Sequence, residues 1–185
     1  MLRRIGHGRG PRGDGERAGE TVLRAGIGVK LAEHRFARDA EADRRRTYQL
    51  YGGDINTRMQ QEIVLGIGGV RALSAVGLKP TVWHINEGHA AFQILERCRE
   101  FVAQGLDFDS ALELVAANTV FTTHTPVPAG HDIFDHMLME RYFGDQLKAL
   151  GLDVEKLFSL GSSPGSQGGF NMTALAVAVS ASAVF

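Results

Sequence analysis

The chain is short of nearly everything that would betray a function through composition alone. It has one cysteine among 185 residues, Cys98, which excludes an internal disulfide and agrees with a reducing compartment. Its 20 Lys and Arg against 21 Asp and Glu leave a formal net charge of −1. No surplus of either sign therefore argues for nucleic acid or an anionic membrane as partner. No apolar run reaches the roughly 18–20 residues that cross a bilayer. The basic start "MLRRIGHGRGPR" lacks the apolar centre of a signal peptide. The expectation is a cytoplasmic protein with no nucleic-acid and no membrane partner. What is present, 44% hydrophobic and 22% charged residues, is enough for one packed domain.

Residues 1–40 read differently from the rest. Their opening, "MLRRIGHGRGPRGDGERAGE", is Arg and Gly with almost nothing to bury, so it is expected to be flexible. A nucleic-acid arm is the functional reading of such a tract, but interleaved aromatics that would stack on bases are missing. From residue 41 the sequence is patterned. "YGGD" is a turn, and Asp54 is placed to cap the helix after it. "INTRMQQEIVLGIGGVRALSAVGL" puts Ile55, Met59, Ile63, Ile67, Val70 and Leu73 at helical spacing, predicting one buried face. "LKPTVWHIN" predicts a buried parallel strand ending near Asn86, and "TVFTTHT" a second strand stopped by Pro126 and Pro128. "HAAFQILERCREFVAQGL", "DFDSALELVAANT" with Asp109 at its N-cap, "DIFDHMLMERYFGDQLKALGL" and the start of "FNMTALAVAVSASAVF" read as helices, and "SLGSSPGSQGG" as a loop. Strands alternating with helices of this length define an α/β class: a partial Rossmann-like parallel sheet with flanking helices.

Two polar clusters fall at the ends of the two strands: His84, Asn86, Glu87 and His89 after the first, Thr122, Thr123, His124 and Thr125 after the second. Ligands of open α/β sheets collect outside the carboxyl ends of strands. Asn, Glu and neutral His suit sugar hydroxyls, since between them they donate and accept. Gly88 is placed to let the backbone approach a ligand. Each histidine also has a structural reading. His84 fits a hydrogen-bonded core histidine as well as a ligand contact, and His131 and His136 fit surface or capping groups better. His89 and His124, just past strands in Gly- or Pro-marked turns, are the stronger functional candidates.

Other chemistries fit less well. His84, Glu87, His89, His124 and His131 are zinc-ligand types, but His84 and His89 are five residues apart, about 140° apart on a helix, and the expectation is no metal. "GIGGVRA" resembles a phosphate loop, yet Gly66, Gly68 and Gly69 lie inside a helical pattern with no preceding strand. Close helix packing accounts for them better. There is no G-x-S-x-G elbow, and Cys98, mid-helix between Arg97 and Arg99, is expected to be a spectator.

The blocks "LYGGDINTRMQQEIVLGIGGVRAL", "PTVWHINEGHAAF", "TVFTTHTPVPAGHDIF" and "GFNMTALA", in this order, resemble the α-glucan phosphorylase family, most closely its short bacterial glycogen or maltodextrin type. The resemblance covers residues 41–178 as part of an N-terminal domain, and neither residues 1–40 nor the tail 179–185 share it. It implies half of a glycosyltransferase B cleft. It also implies a parent enzyme that transfers the terminal α-1,4-linked glucosyl unit of a glucan to phosphate, giving glucose 1-phosphate with retained configuration. Pyridoxal phosphate, carried by a lysine of the missing C-terminal domain and relaying a proton through its phosphate, is the implied cofactor. Implied partners are the glucan, phosphate and the missing domain, with a homo-oligomer in the parent, in a family with allosteric members. By position, His124 matches the catalytic histidine whose carbonyl faces the oxocarbenium-like transition state. Asn86, Glu87, His89, Thr123 and Thr125 match substrate-binding positions, with Glu87 standing where many relatives carry aspartate. A glycogen-synthase-type glucosyltransferase would need an N-terminal nucleotide-sugar loop that is not found, and a non-catalytic glucan-binding or subunit-interaction module is the remaining alternative.

Overall fold

A computed structural model describes residues 52–125 and 131–184. The expected flexible tract at residues 1–40, and Pro126 and Pro128, lie outside the described residues. Helix α1 (Ile55–Ile63) starts at Asp54, whose side chain accepts from the Thr57 N–H at 2.7 Å. A single wide π-type turn, Val64–Gly68, joins it to α2 (Gly69–Ala75). Met59, Ile67, Val70 and Leu73 are buried as their spacing predicts, whereas Ile55 is half exposed. Of Gly66, Gly68 and Gly69 only Gly66 is required by packing. A Cβ there would stand 2.8 Å from the Gln93 backbone N and 3.0 Å from Phe92 Cβ, while one on Gly69 would meet nothing.

Strand β1 (Trp83–Asn86) leads through one 3-10 turn (Gly88–Ala90) into α3 (Gln93–Val102). Helix α4 (Phe108–Ala117) follows, capped by Asp107 rather than by Asp109. Asp107 accepts from the Ser110 N–H, while Asp109 lies in the first turn and pairs with Lys156 at 2.8 Å. Strand β2 (Thr119–Thr122) runs parallel to β1 with Trp83 opposite Thr119 and Asn86 opposite Thr122. Strand β3 (Ile133–Phe134) precedes α5 (His136–Leu150) and α6 (Val154–Leu160). It pairs antiparallel with β4 (Phe170–Asn171), so the helix expected from Asp132 onward begins only at His136. Helix α7 (Met172–Ala178) and β5 (Ser182–Val184) close the described chain. β5 adds to β2 in parallel, giving the sheet order β1-β2-β5.

The fold is therefore α/β, a partial Rossmann-like parallel sheet flanked by helices. On one sheet face Ile85 and Phe121 are fully buried, while His84 and Asn86 of β1 are exposed on the other. The strand expected to be buried throughout is thus buried on one side only. Beneath it Phe92 packs against Phe143, Phe134 and Phe170 at centroid distances of 4.7, 6.2 and 6.3 Å. Each such buried ring contributes roughly 2–3 kcal/mol. Phe92 lies three residues after His89 and Phe134 two after Asp132, so the core anchors these two segments close to their polar residues.

Buried Arg97 clamps the amino ends of the strands. It donates to Thr119 Oγ1 at 2.8 Å and to Asn118 Oδ1, and its guanidinium lies 4.7 Å over the Trp83 ring. Burial lowers its pKa to about 10, which leaves it charged at neutral pH. Among the described residues no helix is long and apolar enough to cross a membrane.

Candidate functional site at the carboxyl ends of the strands

Parallel neighbours in register end at the same sheet edge, so the segments after Asn86 and Thr122 leave side by side. The Glu87 N–H donates to the Thr122 carbonyl at 2.8 Å, extending the ladder one residue beyond β1. Glu87 then turns sharply, with φ 59° and ψ 179°, a backbone region occupied almost exclusively by glycine. Its carboxylate is buried under the second loop. Oε2 accepts from Thr123 Oγ1 at 2.8 Å, and Oε1 from the His124 N–H at 3.0 Å and Thr125 Oγ1 at 2.9 Å. Burial works against the charged form, but these three donors outweigh it and hold the Glu87 pKa down to about 2. His124 is exposed, its Nε2 3.5 Å from Glu87 Oε1.

A second cluster lies beside the first. His89, on the turn after Glu87, faces Arg58 and Glu62 of α1 and Asp132 ahead of β3. Arg58 Nη2 donates to Glu62 Oε1 at 3.0 Å and to Asp132 Oδ2, and stands 3.1 Å from His89 Nδ1. His89 Nδ1 is 3.4 Å from Asp132 Oδ2 and 3.5 Å from Glu62 Oε1. Glu62 is almost wholly buried, and its Oε2 has no hydrogen-bond partner among the described residues. Burial pushes the Glu62 carboxyl up to about 8, and its two carboxylate neighbours, Asp132 first, raise His89 to about 9. Asp132 is shifted down, because hydrogen bonds from His89, Glu62 and Arg58 overcome its burial. The short approach of Arg58 Nη2 requires an acceptor at His89 Nδ1, whereas the carboxylates draw a proton onto that same nitrogen. Both groups are shifted toward their protonated forms, Glu62 by burial and His89 by its carboxylate neighbours, so the cluster binds protons more tightly than its members would apart.

Glu62, His89 and Asp132 have the types and spacing of a metal set. The Arg58 guanidinium stands among them and supplies the positive charge such a set would seek. Of the zinc-type residues noted in the sequence, His84 is exposed and bonds Thr122 Oγ1 through Nε2 at 2.8 Å. His131 bonds Thr173 Oγ1 through Nδ1 at 2.8 Å. His136 stacks on Phe158 at 4.6 Å, as a surface group. The structure brings Glu87, Thr123, His124 and Thr125 together, and separately joins His89 to Arg58, Glu62 and Asp132. Gly88 approaches protein rather than leaving open space for a ligand: a Cβ there would lie 3.0 Å from Met172 Cβ and 3.1 Å from Thr173 N. Asn86 is exposed at the strand tip.

Sequence reading missed Arg58, Glu62 and Asp132. The available signal was a glutamate at an inward-facing position of α1, four residues after an arginine, since a buried carboxylate needs a partner. The described residues do not fit pyridoxal phosphate. Lys79 and Lys148 are exposed and Lys156 is paired with Asp109. None of the three is among the partners of either cluster. Cys98 is buried, its thiol pushed up to about 12 by that burial, which removes it as a nucleophile.

The fold and site define a segment of an α/β protein whose polar groups gather at the carboxyl end of a parallel sheet. No family model matches the chain. Curated relatives do. It is 49% identical over 128 residues to glycogen phosphorylase of Mycobacterium tuberculosis (strain CDC 1551 / Oshkosh), covering 63% of this chain and 15% of that protein. To maltodextrin phosphorylase of Thermococcus litoralis it is 45% identical over 131 residues, 71% of this chain and 15% of the relative. To glycogen phosphorylase of Aquifex aeolicus it is 34% identical over 130 residues, 70% of this chain and 19% of the relative. Over this stretch the chain is similar to glycogen and maltodextrin phosphorylases, and it spans about 15% of the length of the first two.

Proposed function

We propose that this segment forms the sugar-facing wall of an α-glucan phosphorylase active site, within the N-terminal half of a glycosyltransferase B fold. The observation that carries the reading is the joining of two strand-end loops through Glu87, in a stretch 49% identical to a named glycogen phosphorylase. In this reading phosphate cleaves the terminal α-1,4-linked glucosyl unit and yields glucose 1-phosphate. The His124 carbonyl faces the charge that grows at the anomeric carbon, a contribution of a few kcal/mol for one well-aimed dipole. Its exposed ring hydrogen-bonds a sugar hydroxyl. Thr125, Thr123, Asn86 and His89 complete the wall, and Glu87 contributes through the loop it holds.

The opposite wall belongs to the greater length of the relatives that this chain does not span. That length is also where we place the lysine for pyridoxal phosphate, the group that supplies a proton-relaying phosphate when bound, and the contacts of a homo-oligomer. A cytoplasmic setting accords with the single buried cysteine. The chain alone is expected to bind glucan weakly and not to turn it over. Supplied with pyridoxal phosphate, glycogen and phosphate, it should release no glucose 1-phosphate, and in co-sedimentation with glycogen His124→Ala should reduce retention. Co-sedimentation untouched by that substitution would favour a binding module that does not use this site, and clear turnover would overturn the assignment to half a cleft.

A further inference from the structure

We propose that Glu87 is a positioning residue that exchanges backbone strain for a fixed His124 loop. The proposal rests on the glucan reading for its purpose and on geometry for its mechanism. Three facts carry it. Glu87 adopts φ 59°, ψ 179°, a conformation costing an L residue about 1–3 kcal/mol. Its carboxylate takes hydrogen bonds from three consecutive residues, Thr123, His124 and Thr125. Its side chain is buried while the His124 ring it supports is 64% exposed. Glycine would satisfy this backbone without strain, so strand-to-turn geometry alone gives no reason for glutamate here.

The side chain does what glycine cannot. One oxygen draws the His124 N–H inward and fixes the peptide plane on its amino side, and both flanking threonine hydroxyls point at the same carboxylate. Among the described residues no backbone N–H bonds the His124 carbonyl, and the ring stands exposed beside the carboxylate. All three donors favour the ionised form, so the arrangement needs the charge and not merely the volume.

Glu87→Gly relieves the strain and removes the staple, and Glu87→Gln keeps the size while removing the charge. Both are compared with the unaltered 185-residue chain in amide hydrogen exchange, thermal melting and titration with maltoheptaose. The expected result for Glu87→Gly is His124 amide exchange faster by at least about tenfold. The Ile85 and Phe121 amides should be unchanged and the melting temperature should stay within about 3 °C, because lost bonds and lost strain offset each other. Maltoheptaose affinity should fall by about tenfold or more, with a smaller fall for Glu87→Gln. Unchanged His124 exchange in both variants would overturn the proposal. Loss of Ile85 and Phe121 protection along with the loop in both would overturn it too, by showing an ordinary structural role. Full maltoheptaose affinity in Glu87→Gly with a released loop would defeat positioning and leave the glucan reading intact. If the unaltered chain binds no maltoheptaose while His124 exchange still depends on Glu87, the glucan reading falls and the loop-fixing geometry stands.

Discussion

His89 Nδ1 lies 3.4 Å from Asp132 Oδ2, so the turn after β1 and the segment ahead of β3 are joined 43 residues apart through an imidazole held toward its protonated form. Arg58 and Glu62 complete the contact from α1. Three chain segments thus converge on one charged cluster, and the site's second loop hangs from Glu87 next to it.

Removing Arg58 leaves two carboxylates facing each other with only a histidine between them. Arg58→Ala is expected to destabilise the chain by about 3–5 kcal/mol, the usual cost of stripping one partner from a buried ion pair. Arg58→Lys should recover only part of this, because one ammonium cannot reproduce the guanidinium's separate bonds to Gln61, Glu62 and Asp132. Urea unfolding of the three proteins decides it, and a midpoint for Arg58→Ala equal to that of the unaltered chain would refute the cluster's stabilising role.

The pH dependence follows from the direction of the shifts. Folded Glu62 and His89 hold their protons to about 8 and about 9, above their ordinary values. Their contribution is complete at low pH and is lost as pH rises through the folded values. Glu87 and Asp132 are shifted the other way, so their contribution is present above the ordinary carboxylate range and fails only in strong acid. Melting temperature should therefore fall from about pH 5 through pH 9, first because folded Glu62 keeps a proton that the unfolded chain gives up above its ordinary value, then because His89 does the same. Glu62→Gln should make this decline shallower, since it removes one of the two groups that keep a proton above their ordinary values and leaves His89 with Asp132. A decline of equal slope in Glu62→Gln would show that the cluster is not its source.

Gly66→Ala tests the packing of the helix pair against the site's core. The added methyl would meet the Gln93 backbone N and Phe92 Cβ within about 3 Å, and main chain cannot swing aside. The expected cost is about 1–3 kcal/mol, against little change for Gly69→Ala, where space is open. Equal effects at the two positions would contradict the assignment of Gly66 as the contact residue.

Much of the scaffold was legible because it rests on period and punctuation. Asp54 capped its helix as read, and the apolar runs ending at Asn86 and Thr122 became the paired parallel strands. Local signals failed where tertiary contact decides. Asp107 and Asp109 are equally good caps by type, and only the chain's path selects Asp107. The Ile133–Phe134 pair has helical neighbours but is drawn into a ribbon with Phe170 and Asn171. The site was half visible for the same reason. His89 and His124 announce themselves at strand ends, whereas Arg58, Glu62 and Asp132 come from two other segments. Glu87's inward turn depends on a backbone angle that residue type would argue against.

Whether Asn86, His89, His124 and Thr125 form one glucan-binding wall is decided by titrating isotope-labelled chain with maltoheptaose and following every amide by NMR. Saturable shifts are expected at residues 86–89 and 123–125, abolished or strongly weakened by His124→Ala. Shifts centred instead on the surface cavity lined by Asp107, Gly151 and Lys156, or no saturable shifts at all, would contradict that expectation.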